Sequence, residues 1–118
     1  MIRIGLLSDT HSYLDDRIFD YFKDCDEIWH AGDIGSEVVI NSLESFKPCR
    51  FVFGNIDGFN IRHRAKEVEI FKVEDRKVIL IHIAGKMGVY HNQLRQLLKK
   101  EKPDILVCGH SHILKVAF

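Results

Sequence analysis

Apolar residues in the first half of the chain fall into short runs separated by segments of helical period. Ile2 to Leu7 is continuous enough for a strand buried on both faces. Leu14, Ile18, Phe19 and Phe22 then recur at helical spacing, predicting a first helix. Glu27 to His30 reads as a second strand, ending at Ala31-Gly32-Asp33. Ser36 is placed to cap a helix running to about Phe46, with Val38, Val39 and Leu43 turned inward. Arg50 to Phe53 makes a third strand, ending at Gly54-Asn55. Strands alternating with helices predict βαβ units, a parallel sheet and an α/β fold.

The pattern then changes. Val68, Ile70 and Phe71 to Val73 lead through Glu74-Asp75-Arg76 into Val78 to Ile83, which predicts a hairpin and so an antiparallel component. Tyr90, Leu94, Leu97 and Leu98 mark a third helix, closed by Lys99, Lys100, Lys102 and Pro103. That basic run reads as a solvated helix end, where cations are favoured. Asp104 to Cys108 is another apolar strand, and Ile113 to Phe118 one more. With no repeat, no low-complexity tract and no linker, the 118 residues read as one domain over 1–118.

Composition narrows the function classes. A hydrophobic content of 46% and a charged content of 29% are those of a soluble globular protein. Lys and Arg balance Asp and Glu, so the basic excess of a nucleic-acid binder is missing. No run approaches the roughly 18 apolar residues of a membrane span, and the first run is too short for a signal peptide. Cys25, Cys49 and Cys108 are odd in number and widely spaced, as in a cytoplasmic protein with reduced thiols. The expected setting is therefore the cytoplasm, with neither membrane nor nucleic acid as partner.

The chemistry sits at the strand ends. Asp9-Thr10-His11 follows the first strand, Gly32-Asp33 the second and Gly54-Asn55 the third. His82 closes the hairpin's second strand, and Gly109-His110-Ser111-His112 follows the last parallel one. Sites in open α/β sheets form beyond the carboxyl ends of strands. The i, i+2 spacing in Asp9/His11 and His110/His112 lets both members of an extended pair face one side. Carboxylate, imidazole and amide oxygen together suit Mn²⁺, Fe²⁺, Zn²⁺, Co²⁺ or Ni²⁺, and the lack of thiolates argues against a structural zinc site. Two divalent cations set against two carboxylates and one hydroxide leave a surplus of one positive charge, which attracts a phosphate.

This motif order, D-x-H, G-D, G-N, H and G-H-x-H, resembles the calcineurin-like metallophosphoesterase superfamily, and more narrowly its small YfcE-type phosphodiesterases. The resemblance covers residues 2 to 112. It implies an αββα sandwich of two mixed sheets flanked by helices, with a binuclear centre at the sandwich edge. Carried over by position, Asp9, His11, Asp33 and His112 would hold one metal. Asp33 would bridge to a second held by Asn55, His82 and His110. Mn²⁺ is the first choice for both ions. The implied reaction is hydrolysis of a small phosphate ester, a phosphodiester first of all, by in-line attack of a metal-bridging hydroxide. Asp33, Asn55 and His82, and with them Asp57, would serve catalysis, and Asn55 with Tyr13 would line the substrate pocket.

Three departures from the family pattern qualify what the resemblance implies. Larger members read G-N-H-E or G-N-H-D where this chain has Gly54-Asn55-Ile56-Asp57, so position 56 cannot donate a proton. Asp57 is left with two readings, a group that orients a ligand or assists the leaving group, and a structural turn residue. Many relatives read H-G-H where this chain has His82-Ile83-Ala84-Gly85. Relatives also continue for several dozen residues past G-H-x-H, so the second sheet is expected to be incomplete and covered by dimerisation or element swapping. The alternative function is a catalytically impaired binding or scaffold module on the same fold. Elsewhere, His30 reads as a hydrogen-bonded core histidine in preference to a group beside the metals. Arg62, Arg64 and Lys66 read as a charged loop in preference to phosphate contacts.

Overall fold

The computed structural model describes residues 2–54, 56–82, 85–86, 89–90, 92–109 and 115–117. Strands β1 (Ile4–Leu7), β2 (Glu27–His30) and β3 (Cys49–Phe51) form a parallel sheet in that order. Leu7 lies opposite His30, and His30 opposite Phe51, so the three strands end level. Everything that follows them emerges along one edge.

The second sheet runs β4 (Val68–Val73), β5 (Arg76–Ile81), β8 (Ile105–Cys108) and β9 (Lys115–Ala117). It is mixed, because β5 and β8 are parallel while β4 and β9 run against them. The expected hairpin is present, and its turn residues Glu74 and Asp75 both have positive φ, the geometry that matches the twist of paired strands. Ile81 lies opposite Cys108, which brings His82 and Gly109 to a second common edge. Between β5 and β8, strands β6 (Gly85–Lys86) and β7 (Val89–Tyr90) form a small antiparallel ribbon.

Alternation along the strands builds four layers. Trp29, Ala31 and Val52 face Val78, Leu80 and Val107, making the core between the sheets. Ile28 and Phe51 point the other way, onto Val39, Ile40 and Leu43 of α2 (Glu37–Phe46). Ile79, Ile81 and Leu106 turn outward onto Leu94, Leu97 and Leu98 of α4 (Asn92–Glu101). The result is helix, sheet, sheet, helix, as the resemblance implied, with the first sheet parallel throughout.

Several local expectations need correction. Val38 is 70% exposed, and Ile40 takes its inward place, because the buried face of α2 runs through 39, 40 and 43. The first helix shrinks to α1 (Arg17–Tyr21), since the Asp15 carboxylate takes the Arg17 N–H at 2.9 Å and fixes the start there. Tyr90 belongs to β7, not to the helix, whose backbone begins at Asn92. A short α3 (Phe59–Arg62) follows β3 without an apolar period long enough to announce it.

Candidate metal centre

The loops after β1 and β2 interlock through their backbones. Asp9 N–H donates to the Gly32 carbonyl, His11 N–H to Asp33 and Ser12 N–H to Ile34, at 2.8 to 3.0 Å. Asp9, His11 and Asp33 have φ of 57°, 49° and 57°, the left-handed region that side-chain-bearing residues adopt at a cost. Two glycines make the close approach possible. A Cβ on Gly54 would collide with the backbone and carboxylate of Asp33, and one on Gly32, where φ is +104°, would sit 2.5 Å from His82 Nδ1.

These constraints gather four of the predicted side chains. Asp33 Oδ2 lies 3.7 Å from His11 Nε2 and 3.3 Å from His82 Nε2. His11 Nε2 is also 3.8 Å from Asp9 Oδ1. One donor atom from each of Asp9, Asp33 and His82 lies within 4.8 Å of the others. The carboxylates are committed on one oxygen each: Ser8 Oγ donates to Asp9 Oδ2, and the Ile56 N–H donates to Asp33 Oδ1 at 3.1 Å. That leaves Asp9 Oδ1 and Asp33 Oδ2 turned toward the imidazoles.

The His82 ring settles its own tautomer. A carbonyl can only accept, so Nδ1–H donates to the Ala31 carbonyl at 2.5 Å. Nε2 is thereby turned toward Asp33 Oδ2, 3.3 Å away, and a cation seated against both atoms would find an imidazole and a carboxylate donor. The side chains of Asp9, Asp33 and His82 are only 5%, 7% and 3% exposed, while that of His11 is 41% exposed and gives the cluster its open side. Buried carboxylates need a positive partner. Oxygen and imidazole donors without thiolate match a divalent ion of the Mn²⁺ to Zn²⁺ series. The residues present therefore fit the metal that the sequence implied.

Two buried groups hold the cluster from behind. Asp57 is 3% exposed, and its carboxylate accepts three backbone N–H groups: Ile34 at 3.1 Å, Gly35 at 2.8 Å and Gly54 at 2.8 Å. It ties the loop after β2 to the loop after β3. Of its two readings, this geometry supports the structural one, since both oxygens are occupied and neither is offered to a leaving group. His30, fully buried, accepts the Gly32 N–H on Nδ1 at 3.1 Å, so its proton is on Nε2 and goes to Thr10 Oγ1 at 3.0 Å. Thr10 passes its own proton to the Ile34 carbonyl at 2.9 Å. Burial pushes the His30 pKa down to about 4, which keeps the ring neutral and this chain of donors intact.

Asn55, His110 and His112 lie outside the described residues. Tyr13 is 71% exposed on the first loop. Cys25 and Cys49 carry free thiols, and burial pushes Cys49 up to about 12, the state of an unreactive sulfur. Arg62 is a residue that sequence reasoning placed in a plain charged loop. Its guanidinium lies 4.4 Å from the centre of the Phe53 ring, and its Nε donates to the Asp57 carbonyl at 2.6 Å. No described helix is long and apolar enough to cross a membrane.

Comparison with known proteins bears on the family and the fold. The profile of the calcineurin-like phosphoesterase superfamily domain matches residues 2–117. A protein named probable metallophosphoesterase, from Methanothermobacter thermautotrophicus, is 36% identical over 117 residues, which cover 92% of this chain and 66% of that protein. The chain thus spans a little under two thirds of that relative's length. A solved archaeal phosphodiesterase superposes with a TM-score of 0.76 at 23% identity, covering 95% of this chain and 74% of that one. Vps29 from Cryptosporidium parvum does so with a TM-score of 0.76 at 20% identity, covering 99% and 68%.

Proposed function

The chain belongs to the calcineurin-like phosphoesterase superfamily, and on that footing we propose that it acts as one metallophosphoesterase domain hydrolysing a small phosphodiester. The observation that carries this reading is the position of Asp33 Oδ2, set between the Nε2 atoms of His11 and His82 at 3.7 and 3.3 Å. One carboxylate oxygen facing two imidazoles is what a shared ligand of two cations needs. Asp9, His11 and Asp33 would hold one ion, with His112 from the last loop. Asp33 and His82 would hold the other, with Asn55 and His110. Mn²⁺ is the first candidate for both. Bound there, the ions would activate water near neutral pH and offset charge developing on the phosphoryl oxygens.

The chain's own residues do the rest. Asp57 and the His30–Thr10 pair fix the loops, so the ligands are held before any ion or substrate arrives. His11, on the open side, marks where substrate enters, with Tyr13 on the same loop. Ile56 cannot protonate a leaving oxygen, so esters with good leaving groups are turned over best.

Ile56 also favours a second reading, a binding module that keeps the ligands but not efficient catalysis. One assay separates them. Metal content is measured on the purified protein, and turnover of bis(4-nitrophenyl) phosphate is followed with added Mn²⁺, with Asp33→Ala as control. Metal-dependent turnover that disappears in the variant supports the hydrolase. Bound metal with no Asp33-dependent turnover of diester or monoester overturns it in favour of the module.

A further inference from the structure

Beside the metal centre lies a cavity of about 360 Å³, within the range of small-ligand pockets. Phe53, Val68, Ile81, Leu94 and Leu97 give it apolar walls. Three further residues connect it to the centre. His82 lines it, Gly54 lines it at the turn packed against Asp33, and Arg62 lines it from α3. The guanidinium is already seated, stacked on Phe53 and bound to the Asp57 carbonyl, with the Gly54 carbonyl 3.5 Å from Nη2. Its acceptors are carbonyls, and no described carboxylate forms an ion pair with it. Of five N–H donors, it therefore keeps several for an anionic oxygen. Glu67 and Gln93 complete the polar lining.

We propose that this cavity is the subsite for the organic group of the phosphate ester, and that Arg62 takes one of the ester's anionic oxygens beside it. The substrate class is then an ester bearing a ring-sized, largely apolar group. This rests on the hydrolase reading above and adds to it a specificity pocket. A phosphoryl group held at Asp33 and His82 has this cavity as its neighbour, because His82 belongs to both. The apolar walls favour a ring over a methyl group by the surface they remove from water. Arg62 discriminates by charge, and as a planar fork on an aromatic face it loses little freedom on binding.

The test is binding of two non-hydrolysable probes, phenylphosphonate and methylphosphonate, to the Mn²⁺-loaded full chain by calorimetry. Phenylphosphonate should bind about tenfold more tightly or better. Gln93→Trp, at an exposed position that lines the cavity, should fill it and collapse the difference, and Leu97→Phe provides a second filling from a partly buried position. Arg62→Gln should weaken both probes about tenfold or more, with partial recovery in Arg62→Lys, which keeps the charge but not the fork. Equal affinity for the two probes, or a preference that survives both fillings, overturns the subsite. Turnover of bis(4-nitrophenyl) phosphate in the same preparations keeps the two ideas apart. Turnover with equal probe affinities removes the subsite alone. A phenyl preference without turnover removes the hydrolase and leaves the pocket.

Discussion

The His82 ring donates its Nδ1 proton to the Ala31 carbonyl across 2.5 Å, joining the end of β5 to the end of β2. One bond thus links the two sheets and aims Nε2 at Asp33. A residue with two such duties should show both when removed. His82→Ala leaves a buried carbonyl unpaired and a cavity behind it, at a cost of about 3 kcal/mol in the metal-free protein. Urea unfolding in chelator should read that loss, and metal titration should show weakened binding on top of it. A variant with undiminished metal-free stability would mean that the sheets are not held together here.

Asp57 should be as sensitive to a change of one atom. In Asp57→Asn the amide offers one acceptor oxygen to three backbone N–H groups, and its NH2 faces a donor. The expected loss is about 2–3 kcal/mol, with reduced metal affinity as the loops at 33–35 and 54 separate. Thermal unfolding and metal titration of the variant check it.

His30 gives stability a pH dependence of definite sign. Its pKa is about 4 when folded, against an ordinary value near 6.5. Between these values the unfolded chain binds the proton and the folded one does not, so stability rises with pH across this window. The contribution is fully present above about 6.5 and is lost as pH falls toward about 4. Metal-free wild type should therefore lose a few kcal/mol more than His30→Gln over that range, read by urea titrations at each pH.

Metal should stabilise the fold by mass action. Mn²⁺ at a hundredfold excess over its dissociation constant adds about 2.7 kcal/mol, seen as a rise in Tm. The rise should vanish in Asp33→Ala. Imidazole ligands bind only when neutral, so occupancy should fall below about pH 6, which metal analysis after equilibrium dialysis would follow.

The sequence made the clustered side chains more legible than the parts that support them. Asp9, His11, Asp33 and His82 were legible because each follows an apolar run, and parallel strands deliver whatever follows them to one edge. The His30 core reading also holds, since an imidazole inside a strand-end segment must find partners within the fold. Val38 was misplaced because three neighbouring apolar residues leave the phase of a short helix undetermined. The duty of Asp57 was hidden in a Gly-x-x-Asp turn, whose acceptors become visible only when the segment at 34–35 is folded against it. Nothing in sequence spacing places the Arg62 guanidinium on the Phe53 ring, because that contact depends on the path of α3.

Glycine would sit comfortably at positions 9, 11 and 33, where this chain keeps an aspartate, a histidine and an aspartate at φ of 57°, 49° and 57°. Each such replacement would relax the backbone by about 1 kcal/mol. The bonds from Ser8 Oγ and the Ile56 N–H to the two carboxylates, which glycine would forfeit, offset part of that strain. Three clustered side chains thus sit on left-handed backbone, and an ion bound among them would offset that conformational cost.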